Sequence, residues 1–199
     1  MPTEPPKPPA RRTRLTSERA GELYDAVLDL LREVGYDALT MDAVAARTRS
    51  SKATLYRQWK GKPELVASAL RHGKPVHLGE IDTGSVRGDL QAMVCTADEA
   101  QMEKDTALIR GLGHAAHTNP ELLRALRELL VEPEIEALKA MLQRAIDRGE
   151  VAPDVPALRY VPHMLLGAFI AQPLIEDRPM DAEFLTAYVD AVIVPALGL

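Results

Sequence analysis

Apolar residues recur at helical spacing along nearly the whole chain. Leu23, Val27, Leu30, Leu31 and Val34 fall at i, i+4, i+7, i+8 and i+11, which is one stripe of an amphipathic helix. Thr16 or Ser17 can cap its start, and Gly35 ends it. Thr40 then caps a short helix containing Met41, Val44 and Ala45, and a break follows at Thr48–Ser50. Ser51 can cap a third helix, SKATLYRQW, with Leu55 and Trp59 four residues apart. Gly61 stops it, and Pro63 suits the first position of a fourth helix running to about Arg71. Two short helices joined by a tight turn, with a longer helix on either side, make a helix-turn-helix.

Beyond it, residues 75–84 read as a linker. Ser85–Met102 carries Val86, Leu90, Met93 and Val94 at helical spacing, and residues 104–118 form a further candidate helix loosened by Gly111 and Gly113. Asn119-Pro120 is a strong helix start. The stretch after it has Leu123, Leu126, Leu130, Leu138, Met141, Leu142 and Ile146, interrupted by Pro133 as either a kink or a new start. VAPDVP is a loop, Ala157–Ile175 is apolar on most sides, and Asp181–Leu197 closes the chain as a helix. The predicted fold class is all-α: a flexible Pro-rich arm over 1–14, a helix-turn-helix domain over 15–74, and a helical domain over 75–199.

Composition supports this picture. Of 199 residues, 46% are hydrophobic and 4% aromatic, enough for a core and too few aromatics for a β-sandwich or barrel. The single cysteine, Cys95, excludes an internal disulfide, suits a reducing cytoplasm and reads as a structural thiol. With no membrane-length apolar run and no leader-like N-terminus, the expectation is a cytoplasmic protein without a membrane partner. The net charge of −5 divides unevenly: residues 1–74 hold 14 Lys+Arg against 9 Asp+Glu, and residues 75–199 hold 10 against 20. A basic module that meets a polyanion would give this division, and so would two solvated surfaces of unequal charge. Arg11, Arg12 and Arg14 end the arm, placed to touch phosphates or a minor groove, or merely to solvate a tail.

A helix that reads DNA must present polar side chains outward near its N-terminus while its inner face is anchored. Leu55 and Trp59 can share that inner face, which leaves Ala53, Thr54, Tyr56 and Arg57 to face out. Hydroxyls and cations donate to phosphate oxygens, and an arginine can also fork onto a guanine edge. The stretch TMDAVAARTRSSKATLYRQWKGKPELV, with the preceding LYDAVLDLLREVGYDALTM, resembles the DNA-binding region of the TetR/AcrR transcriptional regulators. The resemblance covers residues 15–70 and rests on Thr40, Ala45, Ser51-Lys52, Thr54-Leu55-Tyr56, an aromatic at 59, Lys60, Lys62 and Glu64-Leu65. The candidate DNA contacts are Thr40, Ser51, Lys52, Ala53, Thr54, Tyr56, Arg57 and Lys62, with Arg49 as an added phosphate contact, and the resemblance implies a dimer bundle built from the last two helices of each subunit. One departure falls in the turn, where the family often has Gly and this chain has Arg49. A left-handed backbone there would cost arginine about 1 kcal/mol or more relative to glycine.

Other chemistry finds little support. The chain holds no Gly-rich phosphate loop, no G-x-S-x-G and no H-E-x-x-H. His114 and His117 lie three apart without nearby Cys or carboxylate ligands, so no metal or cofactor is expected. Met93, Met102, His114, Met164 and Phe169 are the candidates for an adaptable apolar ligand pocket, each also explicable as core. The apolar helix 157–175 is either central to a monomer or shared between its own domain and a second subunit; the homodimer is the favoured reading. The function expected is a ligand-responsive, DNA-binding transcriptional regulator, more often a repressor by resemblance, whose partners are double-stranded operator DNA, a small-molecule effector and a second copy. The alternatives are a dimeric helical scaffold with a degenerate helix-turn-helix, supported by Arg49 and Ser50, and an enzyme, for which no catalytic constellation is present.

Overall fold

A computed structural model of the chain describes residues 17–73, 78–95, 108, 111–178 and 180–199. The described residues form helices and turns. In chain order these are α1 (Ser17–Ala38), α2 (Met41–Arg47), α3 (Lys52–Gln58), α4 (Lys62–His72), a 3₁₀ turn (Leu78–Glu80), α5 (Val86–Cys95), α6 (111–118), α7 (Pro120–Leu126), α8 (Glu132–Asp147), a 3₁₀ turn (Pro156–Tyr160), α9 (Val161–Glu176), α10 (Ala182–Tyr188) and α11 (Val194–Ala196). The arm with Arg11, Arg12 and Arg14, the Thr16 cap and Met102 lie outside the described residues.

Local chemistry explains the boundaries. Gly35, at φ 74°, breaks the helical path of α1 where the sequence placed its end. Asn119 accepts from the Leu122 N–H at 2.9 Å, and Asp181 accepts from the Phe184 N–H at 2.6 Å, so each caps the helix that follows it. Pro133 stands in the first turn of α8, the second of its two expected places. A wide π-helical turn, Arg127–Val131, joins α7 to α8 directly before it. Pro195 follows a second such turn, Val189–Ile193, which joins α10 to α11. A proline lacks an N–H for the carbonyl four residues back and its ring crowds that carbonyl, and a widened turn relieves both faults without ending the rod.

Two groups of buried residues hold the chain. The first gathers Leu23, Val27, Leu31, Val44, Leu55, Trp59, Leu65 and Val66 from α1–α4, and also Leu108, Leu112, Ala115, Ala116 and Leu122 from the acidic segment. The second gathers Val86, Leu90, Leu138, Met141, Val161, Leu185, Val189 and Ile193 from α5 and α8–α11. The first core therefore spans the charge boundary, and α4 packs against both α1 and α7. Val34, expected on the inner stripe of α1, is exposed, because the apolar face tightens onto Leu28 and Leu30 instead.

Candidate nucleic-acid interface

The turn between α2 and α3 is built from backbone bonds. Thr40 caps α2, its Oγ1 accepting from the Ala43 N–H at 3.1 Å, and Ser51 caps α3 by accepting from the Thr54 N–H at 3.1 Å. At the end of α2, Ser50 N–H donates to the Ala45 carbonyl at 3.0 Å and Arg49 N–H to the Ala46 carbonyl at 3.4 Å. These are the two bonds of a Schellman motif, which requires a left-handed residue in Arg49's position. Arg49 is that residue, at φ 51°. The same motif ends α8 through Gly149 at φ 75°, so one chain makes the same stop once with glycine and once with arginine. The Arg49-Ser50 pair thus completes the turn rather than disrupting it.

This geometry fixes which way α3 faces. Leu55 is fully buried and Trp59 nearly so, with the Trp59 ring edge-on to Tyr24 of α1 at 5.7 Å and Tyr24 in turn against His72 of α4 at 5.0 Å. Ser51, Lys52, Ala53, Tyr56 and Arg57 are exposed and Thr54 half-buried, as are Thr40 and Arg49 exposed at the rim. Lys52 reaches back to Asp42 of α2 at 2.8 Å, an exposed pair that holds the lysine beside the turn. Arg49 and Arg57 have no ion pair among the described residues.

Lys62 departs from its expected place facing a phosphate. Its Nζ donates to the Tyr36 carbonyl at 2.8 Å and lies 4.2 Å from the centre of the Tyr36 ring. The physical reason is the end of α1, whose last carbonyls need donors once Gly35 breaks the helix. Burial holds the Lys62 ammonium below its usual range, partly offset by Asp37. Burial also pushes the Tyr36 phenol up to about 12, helped by Glu121 and Asp37. Sequence reading missed one clamp altogether. Arg47 forks onto both carboxylate oxygens of Glu33, at 3.1 and 2.6 Å, and ties α2 to α1. The signal available was only two opposite charges fourteen residues apart, which no local periodicity relates.

The expected pocket residues divide between two places. Met93, Met164 and Phe169 are half-buried against the second core, whereas His114 and His117 are exposed on α6. Helix α6 turns Leu112, Ala115 and Ala116 into the first core, and 3.6-residue periodicity then carries 114 and 117 outward. His114 is therefore removed from the pocket set. A cavity of about 260 Å³ does open between α9 and α10, lined by Met164 and by Gln172, Phe184 and Tyr188, which the sequence reading had not singled out. No group of three His, Cys, Asp or Glu side chains able to hold a metal occurs among the described residues. No helix there is long and apolar enough to cross a membrane.

Arg49 supplies a direct test of the turn. Arg49→Gly is expected to raise stability by up to about 1 kcal/mol, since glycine accepts the left-handed conformation freely. Thermal melts of the two proteins measure this; a variant no more stable than wild type would mean that the Arg49 side chain offsets its own strain.

Comparison with known proteins agrees with the geometry. Residues 23–69 match the model of "Bacterial regulatory proteins, tetR family", and residues 80–192 match "Tetracyclin repressor-like, C-terminal domain". The chain is 35% identical over 184 residues to an uncharacterized HTH-type transcriptional regulator of Mycobacterium bovis, covering 91% of this chain and 89% of that one. It is 33% identical over 176 residues to the DNA-binding transcriptional repressor TetR of Mycobacteroides abscessus, covering 88% and 92%. The crystal structure of the TetR family transcription regulator SCO0332 superposes with a TM-score of 0.70 at 31% identity, covering 90% of this chain and 98% of that one. A left-handed stop after α2, an α3 locked by Leu55 and Trp59 with its polar face free, and matches along both parts of the chain have one reading: this protein belongs to the TetR family of transcriptional regulators and is a helix-turn-helix DNA-binding regulator.

Proposed function

We propose that the chain acts as a cytoplasmic homodimer that holds a palindromic operator and represses transcription until a small molecule lowers its DNA affinity. Residues 15–74 would form the DNA-binding domain and residues 75–199 the regulatory and dimerisation domain. The observation that carries the reading is the outward face of α3. Lys52, Ala53, Tyr56 and Arg57 are exposed on it, held in place by the buried Leu55 and Trp59. Thr40, Arg49, Ser51, Thr54 and Tyr56 would position the duplex through its phosphates, and Arg57 would read a base edge. Lys62 enters indirectly, by fixing the end of α1 against α4.

Titration of operator and random DNA against salt tests these roles. Losing a phosphate contact at Arg49 or Tyr56 should weaken both DNAs alike. If the lost contact is a cation, the log–log salt slope should fall by about 1. Arg57→Ala should cost about 1–3 kcal/mol on operator and little on random DNA. Equal losses on both would make Arg57 a phosphate contact.

The dimer reading rests on an apolar strip. Leu166, Ile170 and Leu174 follow one another along α9, with Leu174 70% exposed, and Val192 is exposed in the turn after α10. Apolar strips of this kind mark interfaces, and a two-fold pair would present two recognition helices about 34–36 Å apart. Leu174→Glu is expected to halve the mass seen by light scattering while leaving the helical circular dichroism unchanged. A wild-type protein that is monomeric at micromolar concentration would refute the dimer.

Coupling would run through α4, which contacts both α1 and α7. An effector shifts DNA affinity only as far as it prefers one arrangement of these helices, typically about 1–3 kcal/mol, or 5–150-fold.

A further inference from the structure

Few side chains of α3 can reach a base edge, and the helix geometry names them. Leu55 is fully buried and marks the inner face. Ala53 and Arg57 each lie two residues from it, about 160° around the helix at 3.6 residues per turn. Both are exposed, so both point away from the core. Thr54 and Tyr56 lie about 100° from Leu55, on the flanks, where a helix in a groove meets the phosphate walls. The Thr54 hydroxyl is also held at the cap by the Ser51 hydroxyl, 2.8 Å away. Lys52 and Gln58 lie about 60° from Leu55, nearest the core-facing side. Lys52 is already engaged, its Nζ reaching Asp42 of α2 at 2.8 Å. The line opposite the core therefore consists of a methyl group and, one turn later, a guanidinium with no hydrogen bond or ion pair among the described residues.

We infer that each operator half-site carries a thymine and a guanine two base pairs apart, the thymine methyl packed on Ala53 and the guanine edge read by Arg57. The inference rests on the DNA-binding reading above and adds the bases to it. A methyl group neither donates nor accepts a hydrogen bond. Against the amino group of adenine or cytosine, or the two acceptors of guanine, it would displace water and offer no partner in its place. Thymine alone presents an apolar group in the major groove, its 5-methyl. Guanine presents O6 and N7 side by side, which the fork of an arginine fits with two hydrogen bonds. The spacing follows from the helix. Ala53 and Arg57 are four residues apart, about 6 Å along the axis. Two base-pair steps of about 3.4 Å cover nearly the same distance. With Lys52 paired to Asp42 and Thr54 tied to the cap, the other base pairs under α3 should tolerate substitution.

Selection of duplexes from a random-sequence library by the full-length protein tests this, followed by titration of the selected duplex and its analogues. Selected half-sites should share the thymine and the guanine at this spacing. Replacing that thymine by deoxyuridine, which lacks only the methyl, should weaken wild type about fourfold per half-site, as one buried methyl provides. Replacing the guanine by 7-deazaguanine, which lacks the N7 acceptor, should weaken it about fivefold or more. Ala53→Gly should bind the thymine and uracil duplexes alike, and Arg57→Ala the guanine and 7-deazaguanine duplexes alike. Each comparison is a ratio on one protein, so a general loss of affinity from a weakened α3 does not disturb it. The inference is overturned if wild type binds the uracil duplex as tightly as the thymine one, or if the thymine preference survives Ala53→Gly. A guanine preference that survives Arg57→Ala and falls with Lys52→Ala also overturns it, giving the guanine to a lysine released from Asp42. A library that yields common sites without the pair removes this inference and leaves the operator reading standing; one that yields no common sequence removes both.

Discussion

Leu55→Ala is expected to lower stability by about 2–5 kcal/mol and to abolish specific DNA binding at concentrations where wild type saturates. Helix α3 has seven residues, far too few to persist by propensity alone, so it exists because its inner face is buried. Within it Leu55 is the one fully buried side chain; Trp59 follows as the cap residue. Truncation to alanine removes the side chain that seats α3 in the first core and leaves a cavity directly beneath the recognition face. Domains of this kind are stable by about 5–15 kcal/mol in total, so the loss is a large share. Denaturant titration followed by circular dichroism measures it, and Tyr56→Ala is the control. Tyr56 is 49% exposed on the opposite face, so its loss should move stability by no more than about 0.5 kcal/mol while still weakening DNA binding. If Leu55→Ala shifted the unfolding midpoint no further than Tyr56→Ala, the inner and outer faces assigned to α3 would be wrong.

Asp89→Ala should rival it in the second core, at about 3 kcal/mol or more. Asp89 is fully buried, and its Oδ1 accepts from the Thr83 N–H at 2.6 Å and the Thr83 hydroxyl at 2.7 Å. Its Oδ2 lies 3.8 Å from Arg144 and 3.6 Å from Arg148, both partly exposed on α8. Arg144 also donates to the Ile81 carbonyl at 2.6 Å, and Glu150, just past α8, accepts from the Val86 N–H at 2.7 Å. The cluster therefore pins the loop before α5 to the end of α8. Removing one partner of a buried pair typically costs about 3–5 kcal/mol, because the remaining groups stay dry and unpaired; exposure of both arginines places this case at the lower end. Asp89→Asn, which can still accept from Thr83, should lose distinctly less. Equal losses for Ala and Asn would shift the weight from the Thr83 bonds to the arginines.

Glycine 88 belongs to the same arrangement. A Cβ there would collide with the Thr83 and Ser85 side chains, so the loop can close over Asp89 only beside a glycine. Nothing in the local pattern RGDL distinguishes this glycine from an ordinary helix-weakening one. Its role exists only once the loop before α5 folds back.

What the residues determine locally was legible in advance. Thr40, Ser51 and Asn119 cap helices because a side-chain oxygen needs only the N–H groups two or three residues ahead. Gly35 ends α1 and Leu55 with Trp59 turns inward, since both follow from conformational freedom and a 3.6-residue period. The TetR/AcrR resemblance, the all-α class and the helix-turn-helix rest on the same short-range rules. Long-range choices were not legible. Lys62 turns to the Tyr36 carbonyl, 26 residues away, because the end of α1 lies open beside it. His114 faces solvent because α6 commits its other face to the first core. Pro133 and Pro195 sit in continuous rods because the cores hold α7–α8 and α10–α11 straight enough to favour a widened turn over a break. Nothing in the local sequence around Gln172 or Asp89 announces how either side chain is paired. Tertiary structure alone decided that Asp89 Oδ1 accepts from Thr83 while both amide atoms of Gln172 are buried without a partner, since a side chain's partners depend on which distant segments the cores bring beside it.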